Sequence, residues 1–127
     1  MSLKLKGYLL LPAHIKPGGF DHAAVHAGRS QLYVAHTCND TVDVIDCGND
    51  RYLHSIPNLT GVAGALVSDD HNLIFTSNRG EDTVSIFSPD DETGAVKQYL
   101  CQLCSRNWFK SGMNHAQTGN LLENLSQ

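Results

Sequence analysis

The chain has 127 residues, 41% of them hydrophobic, and a formal charge of −4. It therefore has the apolar content for a packed core and no basic block to neutralise a phosphate backbone. Its longest apolar runs, residues 8–11 and 32–35, fall far short of the roughly 20 residues a membrane-spanning helix needs. Nucleic acid and membrane are set aside as expected partners, and without a signal peptide the chain as it stands is expected to be cytoplasmic.

In chain order, residues 4–12 (KLKGYLLLP) read as a strand standing ahead of the first complete unit. The PAHIKPGG segment, 12–19, is a turn-rich loop. Residues 20–26 are predicted as a strand, small and apolar at Ala23, Ala24 and Val25, and Gly28-Arg29-Ser30 turns the chain. QLYVAH at 31–36 is apolar at consecutive positions, which predicts cover on both of its faces. A turn through Cys38-Asn39-Asp40 leads to TVDVID at 41–46, rich in β-branched residues. Residues 47–50 turn again before a strand at 51–56. The plan is repeated by strands at 62–67, 73–77, 83–88 and 95–100. Their turns SDDHN, NRGE and PDDETG are built from residues that bond their own backbone or tolerate positive φ.

The repetition is explicit. At an offset of 42 residues Asp40-Thr41-Val42 falls on Asp82-Thr83-Val84, Tyr33 on Phe75 and Val44 on Ile86, and Gly19, Ala23 and Val25 fall on Gly61, Ala65 and Val67. Gly7-Tyr8-Leu9, Arg51-Tyr52-Leu53 and Gln98-Tyr99-Leu100 recur at intervals of 44 and 47 residues and mark a fourth strand per unit. A period of this size containing only strand-like segments is the signature of a four-stranded propeller blade. The expected fold class is all-β, with four-stranded antiparallel blades forming a partial β-propeller. It divides into a leading strand and loop (4–18), blade one (19–60), blade two (61–100) and a diverged tail (101–127). Val34, Val44, Ile74, Phe75 and Ile86 are the predicted core.

LYVAHTCNDTVDVID and IFTSNRGEDTVSIFSP resemble the YVTN or YncE-like β-propeller repeat, in which an apolar strand and a turn are followed by "lYVtN", a polar turn, "tVsVID" and a last strand. The resemblance covers about residues 19–100. It implies membership of a group whose proteins usually form seven-bladed rings, are often exported, and are assigned binding roles more often than catalytic ones. Two complete units and a leading strand are fewer than the typically 4–8 blades of a closed propeller. Open blade faces then predict self-association, most simply a dimer.

Candidate ligand-binding residues are Asp21 and His22, where a propeller strand begins near the central channel, and His36 at the far end of the 31–36 strand. Asn78 and Arg79 head the polar turn of the second unit. Asp21 and His22 are also weak candidates for a divalent metal. So is the CxxC pair Cys101 and Cys104 with His115 downstream, although a fourth zinc ligand is not visible. Asp40 and Asp82 read as turn residues, and the cysteines as reduced thiols. No GxSxG or glycine-rich phosphate loop occurs, so no catalytic residues are assigned. The expected function is a binding or protein-interaction module for a protein or small-molecule ligand, with no cofactor required beyond a divalent metal if one binds. The alternatives are a metal-dependent, lactonase-like hydrolase using Asp21, His22 and Asn78, and a truncated, non-functional propeller fragment.

Overall fold

The computed structural model describes residues 2–91 and 97–100, the last four as backbone alone. Sheet one consists of β1 (Ala23–His26), β2 (Gln31–His36), β3 (Thr41–Asp46) and β4 (Arg51–Ile56). Sheet two consists of β5 (Val62–Ser68), β6 (Leu73–Asn78), β7 (Thr83–Phe87) and β8 (Lys97–Leu100). Both are antiparallel, with the strands side by side in chain order. Among the described residues there is no α-helix, only single 3-10 turns at Ala27–Arg29 and Thr37–Asn39, and no helix long and apolar enough to cross a membrane. The two sheets do not close into a ring.

The repeat in the sequence is a repeat in backbone geometry. Ser30 and Asn72 turn the first strand of each sheet into the second at φ 52° and 51°. Asp40 and Asp82 turn the second into the third at φ 54° and 53°. Short polar side chains tolerate this left-handed conformation far better than β-branched ones, which start only at the next residue, Thr41 or Thr83. Strand boundaries in sheet one follow the sequence reading closely, apart from β1, which starts at Ala23 rather than 20. In sheet two, β5 and β6 each run one residue longer than expected and β7 one shorter.

The sheets stack face to face. Sheet one contributes Tyr33, Ala35, Val42 and Val44, paired in register as Tyr33↔Val44 and Ala35↔Val42. These pack against Leu59, Val62, Ile74 and Phe87, and all eight are buried. At roughly 1.5–3 kcal/mol per fully buried large apolar side chain, this one layer dominates the stability of the pair. Val44, Ile74 and Ile86 are buried as expected, whereas Val34 and Phe75 are only half-buried. The alternation explains this: Val34 and Phe75 lie on the faces turned away from the shared core. Polar ties close the seam, with His22 N–H donating to Ala63 O (3.1 Å), Thr37 Oγ1–H to Val62 O (2.7 Å) and Leu59 N–H to Asp40 O (2.9 Å).

Residues 4–12 form no strand, because none of the described residues offers them a backbone ladder. Residues 8–10 nevertheless alternate like one, with Tyr8 90% and Leu10 91% exposed against 39% for Leu9, whereas Leu5, in phase with Leu9, is 70% exposed. The segment is tied to sheet one at both ends of β3: Lys6 reaches Asp50, Ala13 O accepts from Asn39 Nδ2 (2.9 Å), and Ile15 N–H donates to Asn39 Oδ1 (2.8 Å). The leader therefore runs the length of sheet one.

Candidate functional site

At the end of β2 the side chain of His36 turns under the leader and is fully buried. Its Nδ1 lies 2.7 Å from Asp43 Oδ2 in β3, and Asp43 is equally buried. The other oxygen, Oδ1, accepts from Ser55 Oγ (2.6 Å) and Thr41 Oγ1 (3.2 Å), and the Ser55 hydroxyl in turn lies 2.8 Å from Tyr52 OH. A carboxylate facing Nδ1 favours the imidazole hydrogen there, which in the neutral ring leaves the lone pair on Nε2. That nitrogen is buried and has no hydrogen-bond partner among the described residues. Around the His36 ring stand Cys38, buried in the 3-10 turn, and His14 from the leader. The ligating atoms of His14, His36 and Cys38 all lie within 4.8 Å of one another. Phe20 stacks on His36 with ring centroids 4.2 Å apart and meets His14 edge-on at 5.4 Å.

The same socket in sheet two is filled differently. Asn78 occupies the position of His36, and its Nδ2 donates to Ser85 Oγ (2.8 Å) and Thr83 Oγ1 (3.0 Å) while its Oδ1 accepts from Thr76 Oγ1 (3.2 Å). Asn78 is buried, and its amide is spent inside the sheet.

The remaining sequence candidates form a separate, exposed group at the seam. Asp21 receives Arg79 Nη2 at 3.2 Å and lies 2.6 Å from His22 Nδ1, with Arg79 and His22 side chains 70% and 77% exposed. Such an exposed pair contributes little to stability, but it occupies the Asp21 carboxylate. Cys47 is exposed, at the opposite end of β3 from Cys38, and both are free thiols. Cys101, Cys104 and His115 lie outside the described residues.

A second polar joint ties His26, buried at the end of β1, to sheet two. Its Nε2 is 2.8 Å from Asn72 Oδ1, and its Nδ1 is 2.8 Å from Asp69 Oδ1 but off the hydrogen-bonding direction. Asp40 works across the seam rather than within its own turn. Its Oδ1 accepts from Gly61 N–H (2.8 Å) and its other oxygen meets Lys16. The Gly61 hydrogen bond, then Lys16, hold this carboxyl below the ordinary carboxylate range. Burial raises the Tyr33 hydroxyl above its ordinary value.

Sequence reasoning reached His36 but missed His14 and Cys38. His14 lies 22 residues upstream in a loop without periodicity, and only the ties of that loop to Asn39 bring it over β2. Cys38 carried a signal, since the strand-turn element His36-Thr37-Cys38 puts two metal-philic side chains two residues apart.

No family model matches the chain. An uncharacterized protein of Staphylococcus saprophyticus is 30% identical over 91 residues, an alignment covering 64% of this chain and 26% of the relative. The chain thus spans about a quarter of the length of the curated relative it matches.

Proposed function

We propose that the chain is a β-propeller repeat module that works by binding, and that the surface it presents first is taken by a second copy of itself. The observation that supports this is the leader. It stands to sheet one as sheet one stands to sheet two: one side turned to the sheet beneath and the other, carrying Tyr8 and Leu10, open to solvent. Its Tyr8-Leu9 matches Tyr52-Leu53 near the start of β4, the outermost strand of a complete sheet. An extended segment whose backbone joins no ladder among the described residues is a template on which three strands could assemble. On the far side of sheet two, Leu66 is 64% exposed and faces Phe75 in register, which supplies an apolar surface for the opposite contact. Two copies that exchange these surfaces bury both.

The hydrolase alternative is less well supported. It needs Asp21 and Asn78 free to meet a metal or a substrate, but Asp21 is occupied by Arg79 and Asn78 is enclosed in sheet two.

Light scattering after size exclusion at micromolar concentration tests the reading. The expected mass is at least twice 13.8 kDa, and the combined variant Tyr8→Lys/Leu10→Lys is expected to return a folded monomer. A wild-type chain that stays monomeric across the concentration range overturns self-association.

A further inference from the structure

We infer that His14, His36 and Cys38 form a binding site for a zinc-class transition metal ion, with the fourth position open toward solvent. Three independent features converge on one point. The His36 Nε2 is buried with no hydrogen-bond partner among the described residues, a state that costs free energy unless something occupies the site. The Asp43 carboxylate at Nδ1 fixes the ring tautomer and orientation, as carboxylates behind metal-bound histidines do. A thiol, a second imidazole and the His36 ring already bring one ligating atom each to within 4.8 Å of one another.

Two imidazoles and a thiolate form a borderline-soft donor set, suited to zinc or copper and poorly suited to magnesium or calcium. In a tetrahedral zinc site, donor atoms lie roughly 3.3–3.6 Å apart, as follows from metal bonds of about 2.0–2.1 Å to nitrogen and 2.3 Å to sulfur. The cluster therefore has to contract by about 1 Å or slightly more. His36 and Cys38 are held by β2 and its turn, so the exposed His14 makes the movement. Its loop contains Pro17, Gly18 and Gly19, and Gly18 sits against Cys38 at φ 139°, where a Cβ would come within 3.1 Å of Cys38 Cβ. Binding takes one proton from the Cys38 thiol and releases it to solvent, while both histidines ligate as neutral rings. Phe20 covers one side of the site, and the coordination left open by three protein ligands is of the kind that accepts water or a small donor.

The test uses the full-length reduced chain carrying Cys101→Ser and Cys104→Ser, so that the tail thiols contribute nothing. Cobalt(II) is titrated as a visible probe, and zinc then displaces it. The expected result is one equivalent with a thiolate-to-cobalt absorption band that zinc abolishes. The band should be lost in Cys38→Ser, and affinity should fall at least about tenfold in His14→Ala. An Asp43→Asn variant should weaken binding about 10–100-fold without removing the thiolate band. His14 is exposed, so its replacement leaves the fold intact, which the metal-free melting temperature checks. Absence of the band in the parent protein, or a band and affinity unchanged by Cys38→Ser and His14→Ala, overturns the site.

Discussion

The sockets at the ends of β2 and β6 are the same place in two repeats with different contents, and the difference separates architecture from chemistry. Both cross-link the end of the second strand to the start of the third: His36 to Asp43 in sheet one, Asn78 to Ser85 in sheet two. Buried polar groups at this corner are therefore a property of the repeat. Asn78 has two donors and an acceptor, and all are satisfied by Thr83, Ser85 and Thr76, so the sheet-two socket is closed. Replacing an amide by an imidazole and a hydroxyl by a carboxylate leaves Nε2 over, and it faces the leader rather than a complete sheet. The sheet-two socket spends its polar groups on holding strands together, while the sheet-one socket has one to spare at a face that, among the described residues, is covered by a loop.

The largest effect should come from removing the carboxylate. Asp43→Ala strands the Nδ1–H of the fully buried His36 and removes the acceptor of the half-buried Ser55 and Thr41 hydroxyls, and a loss of about 3–5 kcal/mol is expected in urea unfolding. Ser85→Ala, at the matching position, removes one neutral partner of Asn78 and should cost about 1–2 kcal/mol. Transplanting the sheet-two set sharpens the contrast. His36→Asn alone should destabilise, while His36→Asn/Asp43→Ser/Val34→Thr should recover most of the loss, with a coupling of about 1–3 kcal/mol. A triple variant no better than the sum of its parts would show that the two sockets are not interchangeable frameworks.

Much of the fold was legible because the repeat reports it twice. The offset of 42 residues placed β2, β3, β6 and β7, and the Asp40 and Asp82 turns, by comparison of one copy with the other. Two things were not. The consecutive apolar residues of 31–36 predict cover on both faces, yet cover depends on what lies beside the sheet, and Val34 finds only the leader there. The 4–12 segment has the composition and alternation of a strand, but a strand is a pairwise object, and sequence does not announce that a partner is lacking. The site was half legible for a related reason: His36 and Cys38 are near neighbours on a predicted strand and turn, whereas His14 joins them through loop contacts that no periodicity encodes.

The aligned glycines Gly19 and Gly61 extend the comparison to the chain entering each sheet. Gly61 has φ 62°, and a Cβ there would lie 2.5 Å from Gly80 N, because Arg79 N–H and Gly80 N–H donate to Gly61 O and Thr60 O across the gap. Gly61→Ala combines a left-handed backbone with a clash against backbone, and a loss of about 2 kcal/mol or more is expected. Gly19→Ala meets nothing within 4 Å and should stay within about 0.5 kcal/mol of the parent. Equal losses at the two positions would mean that the first entry is as tightly built as the second.

The smallest effect concerns the charge that fastens the leader and the second sheet to one turn. Asp40 has a folded-state pKa lowered first by the Gly61 N–H and then by Lys16. A carboxyl whose value is depressed on folding stabilises the fold above its unfolded value, near pH 4, and loses that contribution as the pH falls through the lower folded value. Asp40→Asn keeps the left-handed turn, which asparagine tolerates, and keeps an oxygen for Gly61. Stability at pH 7 should therefore drop by less than about 1 kcal/mol, while the acid limb of a plot of melting temperature against pH becomes shallower below pH 4. Lys16→Met should flatten the same limb less, because the backbone hydrogen bond is the larger cause and survives the substitution. If Lys16→Met flattened it as much as Asp40→Asn, the tie from the leader, rather than the tie to sheet two, would be what the charge of Asp40 serves.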